Sequence, residues 1–105
     1  MKIIKRLSEM IEEELDGAED YIKCALKNKD GYPSLSKTLY DISMDEMRHV
    51  GILHDQVVKI IQEYRKEHGE PPVAMQAVYD YVHERNINHA AKIKAMQSQY
   101  RETME

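Results

Sequence analysis

Apolar residues recur along this chain in steps of three and four, and the pattern breaks twice, which predicts three helices. The first run extends from about Ile3 to about Lys29, with Leu7, Ile11, Glu14, Ala18, Tyr21 and Ala25 on one stripe. It ends at Asn28-Lys29-Asp30-Gly31, where Gly31 suits a left-handed residue closing a helix. The second run, about Pro33 to about Glu67, carries Leu35, Leu39, Ile42, Glu46, His49, Leu53, Val57, Ile60 and Tyr64 on one seam. A second stripe on the same helix reads Tyr40, Met44, Met47, Val50, Gly51, Val58 and Ile61. A helix apolar around so much of its surface needs more than one neighbour. Gly69, Pro71 and Pro72 punctuate its end. The third run, about Pro72 to about Arg101, has the weaker stripe Val78, Val82, Arg85, His89, Ile93, Met96 and Tyr100, and reads as a cover or interface helix.

Two long helices joined by a short turn make an antiparallel hairpin with one open apolar side. The expected fold is therefore all-α, a single domain over residues 1–105, built as a helical hairpin plus a third C-terminal helix. Pairing two such hairpins into a four-helix bundle closes the side that the third helix alone does not cover.

Two positions on these seams are not apolar. Glu46 and His49 are three apart and share a face of the second helix. Glu14 interrupts the first. Burying a carboxylate is costly unless it is paired or bound to a cation. Counted from the turn at Gly31, Glu14 and Glu46 lie at similar depth, because rise per residue is the same in both helices. The three side chains are thus expected at one level. Two hairpins related by a two-fold axis offer four Glu and two His. That is the donor set of carboxylate-bridged di-iron bundles. Carboxylates are hard, anionic donors able to bridge two cations, and imidazole is a terminal donor. Zinc or manganese also fits these donor types.

Composition narrows the partners. The formal net charge is −4 with both signs mixed along the chain, so no basic patch invites nucleic acid. No stretch is long and apolar enough for a membrane span or a signal peptide. Cys24 is the single cysteine, which excludes an internal disulfide and fits a reducing, cytoplasmic compartment. Cys24 itself reads as a small buried apolar residue. Phe and Trp are absent, leaving aliphatics, Met and seven Tyr to form the core.

The segment Glu14-Leu15-Asp16-Gly17-Ala18-Glu19-Asp20-Tyr21 resembles the first-helix metal segment of bacterioferritins and rubrerythrins, where a ligand Glu precedes a Tyr by seven. Ser43-Met44-Asp45-Glu46-Met47-Arg48-His49 resembles their second-helix segment, and Asp45 to His49 fits the Asp/Glu-Glu-x-Arg-His pattern of di-iron oxygen-activating proteins. The likeness covers the first two helices. The third offers Glu84 and His89 at a different spacing, and no fourth helix follows. The chain is similar in layout to half of a ferritin-like bundle, as in encapsulated ferritins, whose short protomers build the site across a dimer interface. Ser98 to Glu105 shows no apolar tail of the kind that targets a protein shell.

The resemblance implies a homodimer or higher homo-oligomer with iron shared between chains. Glu46 would bridge the metals, with Glu14 as terminal carboxylate and His49 as terminal nitrogen. Asp45 would accept the free N–H of a ligand His, and Arg48 would hold Asp45. Tyr21 would hydrogen-bond a ligand or donate an electron, though core packing is the commoner use of such a Tyr. The implied activity is Fe(II) oxidation by O2 or peroxide, a ferroxidase. Met47 stands where bacterioferritins carry a haem-ligating Met, and helix packing accounts for it without haem. His54, His83 and His89 read as solvated or interface residues, His89 alone being placed for an additional metal contact. The rival expectation is a structural or interaction subunit in which bound metal only stabilises the dimer, without turnover.

Overall fold

The computed structural model describes residues 1–103. Three α-helices account for nearly all of them: α1 (Lys2–Lys27), α2 (Pro33–His68) and α3 (Val73–Thr103). There is no strand among the described residues. Each helix end falls within two residues of the boundary expected from the sequence. The molecule measures 55 × 20 × 17 Å. Its long dimension is that of α2, whose 36 residues at about 1.5 Å each span about 54 Å.

The turns are local chemistry. Asn28 ends α1: its backbone N–H donates to the Cys24 carbonyl at 3.1 Å and its side-chain amide to the same oxygen at 2.8 Å. Asn28 has φ −110° and ψ 12°, and Gly31 is not left-handed, contrary to expectation. The Asn28 side chain supplies the donor that a left-handed glycine would otherwise position. Pro33 opens α2, where its missing N–H costs nothing. Gly69 closes α2 as expected, with φ 75° and its N–H donating to the Arg65 carbonyl at 3.0 Å.

Two serines clamp α1 against α2. Ser36 Oγ donates to the Ala25 carbonyl at 2.5 Å and Ser43 Oγ to the Ala18 carbonyl at 2.7 Å. Both serines are fully buried, and Ala18 and Ala25 opposite them are small enough for the backbones to approach. The pairing order, Ser36 to Ala25 and Ser43 to Ala18, makes the two helices antiparallel. Gln97 of α3 donates to Ser43 Oγ at 2.9 Å, so one buried chain of hydrogen bonds ties all three helices.

The core comprises Ile4, Ile11, Leu15, Ala18, Ile22 and Ala25 of α1, Tyr40 of α2, and Ile93 and Tyr100 of α3. Fully burying each Ile or Leu contributes about 1.5–3 kcal/mol. Tyr40 and Tyr100 stack with ring centroids 4.5 Å apart, and Arg101 donates to the Tyr40 hydroxyl at 2.9 Å. The buried stripe of α1 is rotated from the expected one toward Leu15 and Ile22. The cause is that α1 faces both α2 and α3, so its buried centre lies between them. Cys24 falls outside that stripe and is exposed, not buried.

Further along, α2 and α3 diverge, leaving a groove of about 680 Å³ floored by Ile4 and Ile11 and walled by Val57, Ile61 and Val82. His54 and His83 stack across it with centroids 5.0 Å apart. Val78, placed on the α3 stripe by periodicity, is 59% exposed, because Gln76, Tyr79 and Val82 are the residues of α3 that face the groove at this level. No described helix is long and apolar enough to cross a membrane.

Candidate metal centre

Helix phase places Glu12 and Glu19 on one side of α1 and Glu14 on nearly the opposite side. The first two reach α3: Glu12 accepts from Arg85 at 2.9 Å, and Glu19 lies 2.9 Å from His89 Nε2. Glu14 instead meets α2. Its Oε2 is 3.3 Å from His49 Nδ1. One carboxylate oxygen each of Glu14 and Glu46 and one nitrogen of His49 lie within 4.8 Å of one another, and all three residues are half-buried. Among the described residues this is the one group of three acidic, His or Cys side chains gathered so closely.

The antiparallel clamp explains the convergence. Ser43 fixes one point of α2 opposite Ala18, and Glu46 and His49 follow one and two turns on. Running the other way on α1, Glu14 lies one turn from Ala18. Opposite directions from a shared contact bring the three side chains to one level.

The environment is electrostatically unbalanced. The neighbouring Glu14 carboxyl, by hydrogen bonding, raises the Glu46 pKa above its ordinary value; burial and the Glu14 charge add to this, while His49 opposes it. Two carboxylates held together with one imidazole make a hard, anionic pocket that suits a divalent cation. Gly17 lies beneath: a Cβ built on it would be 3.6 Å from Glu46 Oε2.

The other candidate residues are more peripheral. Arg48 and Asp45 form a long contact, 3.9 Å, with both side chains mostly solvated. Arg48 Nη2 also lies 3.5 Å from His49 Nε2. Tyr21, expected on the buried stripe, is 36% exposed, at the edge of the face that carries Glu14. Met47 packs against the core. His89 is engaged by Glu19 on the α3 side, away from the triad. That partnership was legible only in part, since Glu19 and His89 come from elements whose relative rotation the sequence does not state. Lys23 at 2.6 Å and Lys92 at 3.4 Å complete the Glu19 cluster. Hydrogen bonding from Lys23 leads the causes that lower the Glu19 pKa to about 2; burial opposes, and His89 and the two lysine charges assist.

The triad sits on the face of the hairpin turned away from α3. Along the same face run Leu35 toward the α1–α2 turn and Ile3 toward the other end of the hairpin, 48% and 50% exposed, with the half-buried Met10, Ile42, Leu53 and Ile60. Leu35 was expected inside a seam; within one chain it is left half exposed. Comparison of the chain with known protein families, with curated proteins and with solved structures finds no match.

Proposed function

We propose that the chain is one half of a ferritin-like di-iron oxidase, working as a homodimer whose two-fold axis brings two Glu14–Glu46–His49 groups together. The observation that carries this reading is the convergence of two carboxylates and an imidazole from antiparallel helices, within 4.8 Å, on the hairpin face that α3 leaves open. Three donors from one chain leave a cation under-coordinated. Two copies supply four carboxylates and two imidazoles, the set that holds two metal ions in a four-helix bundle. The apolar residues along the same face give the second copy something to bury, and the same contact removes solvent from the charged groups.

The donor types fit iron. Glu14, Glu46 and His49 would hold the metal: Glu46, packed over α1 at Gly17, would be the carboxylate shared between two ions, and Glu14 and His49 would be terminal donors. Iron held there would supply the redox chemistry, the two-electron reduction of O2 with two protons to hydrogen peroxide, at one electron per Fe(II). This chain's residues hold and neutralise the cations, keep the imidazole oriented and limit water. Asp45, one helical turn before His49, would accept the free N–H of a ligand His in this reading, its own chain's or the partner's.

The test is aerobic Fe(II) loading of metal-free protein, with sizing chromatography alongside. One iron per chain, a transient absorption band on oxidation, its loss in Glu46→Ala, and a metal-dependent dimer are expected. A dimer that forms with metal yet oxidises no Fe(II) establishes the purely structural role instead. Wild-type protein that binds no iron overturns both.

A further inference from the structure

Gly17 stands in the middle of α1, a 26-residue helix, where glycine disfavours the helix relative to alanine. Its backbone does not need glycine, since Gly69 is the residue with positive φ among the described residues. What limits the position is the space above it. A Cβ on Gly17 would sit 3.6 Å from Glu46 Oε2 and 3.8 Å from Glu46 Cδ, with no other neighbour within 4 Å. The Glu46 carboxylate therefore lies directly over a bare patch of the α1 backbone. It lies there beside Glu14, which precedes Gly17 by one helical turn.

We infer that Gly17 is a positioning residue for Glu46: a residue no larger than alanine at this position lets the Glu46 carboxylate fold back over α1 and share one site with Glu14 and His49. This rests on the metal-site reading for its consequence, though the contact itself does not. The distances set a size limit. A methyl group at 3.6 Å makes ordinary van der Waals contact, so alanine fits. The γ-carbons of valine extend about one bond further and overlap the carboxylate, which must then swing off α1 and away from Glu14. A carboxylate that bridges two cations has to reach between them, so a displaced Glu46 degrades binding more than a shortened terminal donor does. Aspartate at position 46 retracts the carboxylate by one methylene and makes room for the larger residue.

The experiment is a double-mutant cycle with Gly17→Val and Glu46→Asp, plus Gly17→Ala as the fold control, read in two independent ways. The first is thermal unfolding of metal-free protein. The second is titration with Co(II), followed by its visible absorption. Gly17→Ala is expected to raise Tm and to change Co(II) affinity by less than about threefold, since the methyl fits. Gly17→Val is expected to lower Co(II) affinity by about tenfold or more while far-UV circular dichroism stays helical. Adding Glu46→Asp to Gly17→Val is expected to recover part of both Tm and affinity, although Glu46→Asp alone weakens binding. A valine variant that binds Co(II) like wild type, or two losses that simply multiply, overturns the inference. If wild type binds no Co(II) but the Tm coupling appears, the metal reading fails and the positioning contact stands.

Discussion

His49 presents Nδ1 to Glu14 Oε2 at 3.3 Å while Arg48 Nη2 approaches its other nitrogen, Nε2, at 3.5 Å. A guanidinium only donates, so this arrangement favours the neutral tautomer with the proton on Nδ1, donated to Glu14. Coordination through Nδ1 needs that lone pair, which transfers the proton to Nε2 and turns Arg48 from a partner into a competitor.

The first prediction is therefore a tautomer switch. Long-range proton–nitrogen spectra of labelled protein will place the His49 proton on Nδ1 without metal and on Nε2 with Zn(II), a diamagnetic probe. His54 and His83, which stack with each other in the groove between α2 and α3 on another side of α2, will not change. A His49 resonance indifferent to zinc would remove it from the ligand set.

Leu35 tests the interface. It is 48% exposed in the single chain, so a charge there costs little folding stability, within about 0.5 kcal/mol for a surface site. In the proposed dimer the same charge is buried. Leu35→Lys is expected to keep its helical spectrum, elute as a monomer with iron present, and lose Fe(II) oxidation. Retention of the dimer would place the two-fold axis elsewhere.

The buried polar chain makes a stability prediction. Ser43 accepts from Gln97 and donates to the Ala18 carbonyl, and both side chains are buried. Ser43→Ala strands the Gln97 amide, a cost of about 1–3 kcal/mol. Urea denaturation should show this loss, with Gln97→Leu combined with Ser43→Ala recovering a large part of it. Equal losses for the single and double variants would mean that Gln97 finds another partner.

Glu19 sets an acid limit. Its pKa is about 2 in the folded chain against an ordinary 4.5. A depressed folded pKa means that the contribution is present in full above pH 4.5 and is lost as pH falls from there toward 2. The stability gap between wild type and Glu19→Gln should thus be widest at neutral pH and close progressively between about pH 4.5 and 2. Because Glu19 joins α1 to His89 and Lys92 of α3, hydrogen exchange should report the loosening first in α3. A gap independent of pH would show that the carboxylate charge is not what holds these helices.

Much of this molecule is written locally. Period-3.6 patterning, Pro33 at a helix start and Gly69 before two prolines fix three helices and their ends, because these are effects of neighbouring residues on the backbone. The level match of Glu14 with Glu46 and His49 was also legible, since a short turn forces equal rise in opposite directions. Helix rotation was not. The expected α1 stripe through Leu7, Glu14 and Tyr21 became a buried stripe through Leu15 and Ile22, because α1 must satisfy two neighbours and the sequence does not say at what angle they lie. That rotation exposes Cys24 and Tyr21, moves Glu14 from the seam to its margin, and gives Glu12 and Glu19 to α3. It also decides which face remains open. The sequence by itself determined which residues are available to bind a cation and at what height they meet. Only the tertiary structure decided that they meet on the uncovered side of the hairpin, because only packing determines which face of an amphipathic helix finds a partner within its own chain.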